Sequence, residues 1–543
     1  MRRCRSRERS RPKHPGGRAT LNTADFLLEH APEDSIALAE AGREYTFEEL
    51  RASVSVLMGR LSVLGLTPGT PVGIMAPNGL FWTSAYLAAL RMGLIVVPLA
   101  VTLPTEEVVA RARWVGADAL LVGRAQAQAL RLSLPRSLPV VVERKERLVP
   151  KQRSTPVELS DAVEVDPDQD ALYMFTSGTT GDPRAVRITH RNIQANTTSI
   201  LGYLGITSED RMLVVLPFTY VFGLSLLHTH LRAGAAMVIQ PTFVFPQAVV
   251  DRMASARCTG FAGVPSTFGM LLRNSTFGST ALPSLRTIQQ AGGRLAPALV
   301  EQMACAQPQA RVFVMYGATE ATARLSYLSP EELSRRPGSI GRGIPGVDLR
   351  VLDRDGVHVA PGEVGEIWAS GANISPGYLD DPEATARKMP GGMLRTGDLA
   401  KVDEDGYIYV VDRVEDFIKS WGHRIASQDV ESAALYLPDV VAAAAVGLPD
   451  DAAGERVELV VVRRRGSVLR GADVIAHCRE RLSKHMVPEV VRFVDALPLN
   501  ANGKVIKRDV RAMCLRLAQE PAEGQDDDVD DADDAGFEGV KVG

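Results

Sequence analysis

The chain has 543 residues, 45% of them hydrophobic and 23% charged, which is globular material too long for one simple core and sized for two or three domains. A net charge of −4 with an isoelectric point near 6.2 removes any electrostatic reason to expect nucleic acid or a membrane surface as partner. Five scattered cysteines, Cys4, Cys258, Cys305, Cys478 and Cys514, contain no C-x-x-C pair, which argues against both a disulfide framework and a zinc site.

The two ends differ from the body. Residues 2–18 carry seven Arg and one Lys against Glu8, and residues 520–541 carry ten acidic groups against Lys541. Segments 1–19 and 519–543 are therefore expected to be disordered, one basic and one acidic. The basic segment lacks the apolar stretch of a secretory signal. The apolar run Leu94–Val101 is too short for a bilayer and is broken by Pro98, so no integral membrane segment is expected and the cytoplasm is the default location.

From Thr20 to about Val410, helical periods alternate with short β-branched runs. Phe47–Leu64 and Leu80–Arg91 read as helices, Pro71–Met75 and Leu94–Val97 as strands, with further strands at Met212–Leu216, Ala236–Gln240 and Val312–Met315. That alternation predicts an α/β fold of parallel sheets covered by helices on both faces. After Val347 the strands come closer together, around the turns Asp353–Gly356 and Asp403–Gly406, as in a small β-barrel or meander. From about Asp412 a smaller α+β unit follows, with helices Ser427–Leu437 and Gly471–Leu482 and strands Val440–Val446, Glu458–Val462 and Val490–Val494. The expected organisation is an N-terminal domain over 20–412 and a C-terminal domain over 413–518.

Within this frame, Tyr173–Val186 holds Thr176, Ser177, Gly178, Thr179, Thr180 and Gly181, and then Arg184. Glycines let backbone N–H groups converge on an anion, hydroxyls add donors, and Arg184 adds charge, which together describe a phosphate-gripping loop. Its spacing is not that of G-x-x-x-x-G-K-[ST], and alone such a cluster is more often an ordinary turn. Four further stretches suit the same chemistry. Val314–Thr322 follows a strand and offers the Tyr316 ring for stacking on a purine and the Glu320 carboxylate for Mg²⁺. Arg395–Asp398 sets a carboxylate in a turn, suited to both hydroxyls of a ribose. Asp412–Ile425 bridges the two domains, and Pro498–Lys504 ends in a turn that presents one lysine. Each also has a plain structural reading: Tyr316 as a core aromatic, Asp398 as a turn former, Glu320 as a helix N-terminal charge, Lys504 as a solvated loop lysine.

Two other patterns fail. Gly341–Gly346 fits G-x-G-x-x-G but runs into the predicted strand Val347–Leu352, where a dinucleotide fold needs a helix. His228 and His230 stand at i and i+2 of a helical run and point apart, so they read as core or surface histidines and not as a metal pair.

Taken together, the five stretches resemble the motifs of the adenylate-forming superfamily, which comprises acyl-CoA synthetases, stand-alone adenylation enzymes and firefly-type luciferases. The resemblance covers nearly all of residues 20–515, with Leu216–Gly223, Gln290–Arg294 and Gly365–Ile367 also matching. It departs from the family at Arg184-Ala185, where Lys-Gly is usual, at Asp412, where Gly is usual, and at Glu415, which replaces the usual hinge Asp.

The resemblance implies a substrate carboxylate attacking the α-phosphate of ATP, then capture of the acyl-adenylate by a thiol, with ATP, Mg²⁺ and CoA required. It implies catalytic roles for Lys504, Glu320, Thr176 and Arg184, with Glu320 on the metal. Nucleotide contacts are implied for Ser177–Gly181, Gly292, Gly293, Arg294, Tyr316, Gly317, Thr319, Asp398 and Arg413. The C-terminal domain becomes a mobile lid hinged at Glu415, which on rotating brings Lys419, Gly422 and Arg424 into use, Gly422 letting a pantetheine pass. Phe218, Tyr220, Val221, Phe222 and Ala291 form the acid pocket. Aromatics beside small residues favour a hydrophobic or aromatic acid, and no Asp stands near Tyr220 to meet a substrate ammonium. The thiol belongs to CoA or, alternatively, to an acyl carrier protein. A non-catalytic nucleotide-binding scaffold is the reading from a different class.

Overall fold

The structure, a computed structural model, describes residues 22–130, 138–144, 148–149, 161–177, 183–413, 416–500 and 503–519. The predicted tail 1–19, residues 520–543 of the predicted tail 519–543, the loop residues Gly178–Gly181 and the predicted hinge Glu415 lie outside the described residues, whereas Gln519 ends the helix Lys507–Gln519.

Helix Leu80–Arg91 is apolar nearly all round, and all its residues are buried, as such a sequence requires. It packs between two large sheets. Trp82 stacks on Tyr86 at 5.3 Å between ring centres, and Tyr86 meets His228 of the equally buried helix Val221–Ala233 at 2.7 Å from Oη to Nε2. Burial pushes His228 down to about 3, so it stays neutral. His230 turns the other way, with Nδ1 2.8 Å from the Leu226 carbonyl, so the two histidines are core groups that do not converge.

The first large sheet runs Arg342–Gly343, Ser326–Leu328, Arg311–Tyr316, Thr287–Gln290, Gly260–Gly263, Arg211–Val214, Ala236–Ile239, Ile36–Glu40 and Arg43–Thr46. Its central strands are parallel and its outermost ones antiparallel. The second runs Gly377–Tyr378, Pro183–Thr189, Asp170–Ser177, Ile95–Pro98, Pro71–Met75, Ala119–Val122 and Val140–Val142, again parallel at one side and antiparallel at the other. The predicted sheets are thus mixed. An antiparallel hairpin ends each where the chain turns back without a crossover helix. The expected barrel or meander is an open four-stranded antiparallel sheet, Val347–Leu352, Val364–Gly371, Leu394–Val402 and Ile408–Arg413. Gly341–Gly346 does lead into its first strand.

Beyond residue 416 a fourth sheet pairs His423–Ile425, Ile418–Ser420, Gly454–Arg463, Val440–Asp450 and Val490–Val494, packed by Ser427–Ala434, Gly471–Arg481 and Lys507–Gln519. Among the described residues no helix is long and apolar enough to cross a membrane, and the described cysteines are free thiols.

Candidate active site

In a parallel sheet the loops that leave the carboxyl ends of the strands share one edge. Here those loops carry Tyr220–Phe222 after Arg211–Val214, Pro265 and Ser266 after Gly260–Gly263, Ala291–Arg294 after Thr287–Gln290, and Gly317–Glu320 after Arg311–Tyr316. All line a cavity of about 820 Å³. Two close approaches fix the glycines: a Cβ on Gly317 would stand 1.7 Å from the Ala323 carbonyl, and one on Gly292 (φ +88°) 2.7 Å from the Tyr220 hydroxyl.

Asp398 lies on the opposite wall. Its Oδ2 accepts from the Tyr316 hydroxyl at 2.6 Å and its Oδ1 from Arg413 Nε at 3.1 Å, Arg413 standing across from it in strand register. Burial and the adjacent carboxylate push the Tyr316 phenol far up, so it remains a donor. Each carboxylate oxygen keeps a further lone pair for a ligand hydroxyl. Glu320, in the short turn Thr319–Ala321, accepts from the Tyr378 hydroxyl at 2.6 Å. Thr176 and Arg184 flank the end of the hairpin Asp170–Ser177/Pro183–Thr189 and both face the cavity. Arg184 is held by Asp381, Nε to Oδ2 at 3.3 Å, with its guanidinium over the Tyr378 ring.

Lys504 enters from the C-terminal unit. Gly503, at φ +77°, turns the chain into the cleft and its carbonyl accepts from Ser266 Oγ at 2.8 Å. Lys504 still meets water at the cleft mouth, yet the protein crowded around it, and next the Arg413 guanidinium, push its ammonium down to about 8; Asp398 and Asp416 pull it back up. Arg294 reaches across to Asp429 at 2.9 Å.

The structure brings Thr176, Arg184, Tyr220, Val221, Phe222, Ala291, Gly292, Gly293 and Arg294 into one cleft with Tyr316, Gly317, Thr319, Glu320, Asp398, Arg413 and Lys504. It does not bring Phe218 there. That ring is fully buried 5.1 Å from Trp82, because its chain turns inward where the Phe218 N–H donates to Asn78 Oδ1. Lys419, Gly422 and Arg424 lie in the exposed hairpin Ile418–Ser420/His423–Ile425, away from the cavity lining. Ser177 ends its strand beside Thr176.

Sequence reasoning missed Tyr378, which lines the cleft because Gly377–Tyr378 adds an edge strand beside Val186 and Arg187, and Asp381, which holds Arg184 there. It also missed the role of Asp412. That buried carboxylate accepts from the Ser427 N–H (2.8 Å) and hydroxyl (2.9 Å), capping helix Ser427–Ala434 from the strand Ile408–Arg413. Lys507 completes the knot, donating to Ser427 Oγ, the Ala445 carbonyl and Glu431. Burial raises the Asp412 carboxyl, against the pull of Ser427.

No cluster of three or more His, Cys, Asp or Glu suited to a metal occurs among the described residues. A lone carboxylate such as Glu320 fits Mg²⁺, which is held by one or two carboxylates together with substrate phosphates.

A ligand cleft at a sheet's carboxyl edge, closed by a smaller unit that inserts a lysine, defines a nucleotide-activating ligase architecture. Residues 28–379 match the family described as AMP-binding enzyme, and residues 429–504 match the AMP-binding enzyme C-terminal domain. The chain belongs to the AMP-binding enzyme family, the adenylate-forming enzymes its motifs resemble. It is 33% identical to the feruloyl-CoA synthase of an Amycolatopsis species over 479 residues, 88% of this chain and 95% of that one. It is 30% identical to the oxalate–CoA ligase of Arabidopsis thaliana over 505 residues, 90% of this chain and 98% of that one. Among solved structures, ATP-bound MatB from Rhodopseudomonas palustris superimposes with a TM-score of 0.81 at 26% identity, covering 91% of this chain and 98% of that one. The O-succinylbenzoate coenzyme A synthetase of Bacillus subtilis, in complex with ATP and magnesium, gives 0.77 at 28%, covering 90% and 99%.

Proposed function

We propose that the chain activates a hydrophobic or aromatic carboxylic acid with ATP as an acyl-adenylate and passes the acyl group to the thiol of CoA in the cytoplasm. It is an AMP-forming acid–thiol ligase. The observation that carries this reading is the convergence of Lys504, Asp398, Arg413 and Glu320 on one cleft whose other end is walled by Tyr220, Val221 and Phe222.

In the first step a carboxylate oxygen of the acid attacks the α-phosphorus of ATP, the bond to pyrophosphate breaks, and the acyl-adenylate remains. Asp398 orients the nucleotide through the ribose hydroxyls, steadied by Tyr316 and Arg413. Thr176 and Arg184 direct a donor and a cation at the phosphates, and the Lys504 ammonium meets the charge that develops as carboxylate and phosphate approach. Glu320 would hold Mg²⁺, which when bound would supply further neutralisation of the polyphosphate. In the second step the thiol sulfur attacks the acyl carbon, AMP leaves with the electron pair of the C–O bond, and a thioester forms. A rotation of residues 413–518 about Glu415 withdraws Lys504 and turns the hairpin of Lys419, Gly422 and Arg424 toward the cleft.

Pyrophosphate release measured across a panel of acids, followed by thioester formation with CoA or a holo acyl carrier protein, tests this. Acid-dependent release with transfer to CoA is expected. Absence of acid-dependent release with every acid would refute the reading, and transfer to the carrier protein alone would reassign the acceptor.

A further inference from the structure

Arg324 is 1% exposed and among the largest fully buried side chains in the protein, yet it borders the catalytic cavity. No carboxylate among the described residues pairs with it, and its Nε and Nη2 have no hydrogen-bond partner there. Its neighbours are the Phe222 ring, whose centre lies 4.7 Å from the guanidinium carbon, and the Tyr203 hydroxyl. The backbone leaves little room for adjustment. The Arg324 carbonyl accepts from the side-chain amides of two buried asparagines, Asn196 at 3.1 Å and Asn373 at 2.9 Å.

A guanidinium cannot shed its proton in a protein, so the charge stays wherever the side chain is buried. Leaving it without an anion is costly, and contact with an aromatic face offsets only part of that cost. The two unsatisfied nitrogens are informative in their identity. Nε and Nη2 share one edge of the planar group, with parallel N–H bonds at the spacing that meets both oxygens of a carboxylate. The location is equally specific. Lys504 sits among Arg413, Asp398 and Asp416 at the nucleotide end, whereas Arg324 sits among Phe222 and Tyr203 at the acyl end.

We propose that the acid activated here carries a second carboxylate, remote from the reacting one, and that the Nε–Nη2 edge of Arg324 binds it. This deepens the reading of the cleft as an acid-activating site and rests on it. The wall residues Val221, Phe222 and Ala291 are apolar, so the body between the two carboxylates is hydrophobic or aromatic. Both nitrogens are shielded from solvent, and Arg324 lines the cavity together with Phe222.

The test uses the whole enzyme with length-matched straight-chain acids, from succinate and butyrate to dodecanedioate and dodecanoate, together with terephthalate and benzoate. Pyrophosphate release gives kcat/KM, and thermal melts without ATP give binding independently of turnover. For at least one matched pair the wild type is expected to prefer the diacid by about 100-fold or more, because a site built for a polar group rejects the analogue that lacks it. Arg324→Met is expected to erase that preference, keep monoacid turnover within a few-fold, lose the melting shift given by the diacid, and melt no lower than wild type, since an unpaired buried charge is removed. Arg324→Lys keeps the charge but not the fork, and is expected to retain a weaker preference; it serves in place of Arg324→Met if that variant does not fold. Equal use of every matched pair by the wild type would overturn the proposal, as would a folded Arg324→Met that loses diacids and monoacids alike, which would place the guanidinium on the reacting carboxylate. Pyrophosphate release with no acid at all refutes the acid-activating reading instead, and a diacid-specific melting shift lost in Arg324→Met would still identify the carboxylate site.

Discussion

Replacing Lys504 with alanine removes an ammonium that the C-terminal unit delivers into the cleft through the Ser266–Gly503 contact. A unit charge about 4 Å from a developing negative charge, at an effective dielectric of about 20, is worth about 4 kcal/mol. Because the lysine still meets water at the cleft mouth, about 3 kcal/mol is the fairer figure, and adenylation is expected to slow about a hundredfold or more. The pH profile carries a second signature. With the ammonium pushed down to about 8, the charged form that assists the first step is lost as pH rises through that value. One pH unit above it about a tenth of the ammonium remains, so adenylation falls on the alkaline side well before a free lysine would titrate. Lys504→Arg moves that limb beyond the accessible range, and Lys504→Ala removes it. ATP–pyrophosphate exchange followed from pH 6 to about 10 reads both effects. Exchange in Lys504→Ala within a few-fold of wild type, or an unchanged alkaline limb in that variant, would refute the assignment.

Tyr378→Phe deletes the 2.6 Å hydrogen bond to Glu320, a charge-assisted contact of about 1.5–3 kcal/mol, and is expected to weaken the apparent affinity for Mg²⁺–ATP about tenfold with a smaller change in kcat; a titration of magnesium at fixed ATP checks it, and an unaltered KM with a fallen kcat contradicts it. Glu415→Pro fixes φ in the linker between Arg413 and Asp416, and is expected to spare adenylate formation while slowing thioester formation at least about tenfold; single-turnover measurement of each half-reaction decides, equal loss of both being the adverse result.

Local pattern reached the elements more easily than the contacts. Pro71–Met75, Leu80–Arg91 and Val490–Val494 fall where hydrophobic period and flanking breakers place them, since each signal lies within one short window. The partners inside the cleft come from distant parts of the chain. Tyr378 meets Glu320 across 58 residues, Tyr316 meets Asp398 across 82, and Ser266 meets Gly503 across 237. No local window holds both members of such a pair, so motif resemblance could name Glu320 and Asp398 but not what holds them. Phe218 shows the converse. Within Pro217–Phe222 the sequence does not say which ring faces the cavity, and the structure turns Phe218 onto Trp82 while Tyr220 and Phe222 face the cleft. Arg324 carries no motif at all, and its interest arises only from its burial without an anion.

The contacts that hold the C-terminal unit over the cleft differ in kind. Ser266–Gly503 and Arg294–Asp429 are single polar contacts at the edge of a water-accessible space, each worth about 1 kcal/mol or less, and beside them helix Pro265–Asn274 packs against strand Val440–Asp450, with Arg273 donating to the Val440 carbonyl at 3.3 Å. Asp412 is another matter. Its carboxylate is fully buried, and Ser427 satisfies it with two hydrogen bonds while itself being held by Lys507. Separating Asp412 from Ser427 without admitting water would leave its Oδ2 without a partner, Oδ1 keeping the Arg413 N–H, and would leave the first N–H of helix Ser427–Ala434 unpaired, a cost of about 1–3 kcal/mol for each buried group left unsatisfied. A rotation about Glu415 therefore either pivots close to this knot and keeps it intact, or hydrates Asp412 as it opens. The position favours the first course. Asp412 lies three residues before the proposed hinge Glu415, whereas Gly503 and Lys504 lie at the far end of the segment that the proposed rotation would carry. If the proposed rotation occurs, the aspartate that stands where the family usually keeps a glycine would anchor it near the pivot.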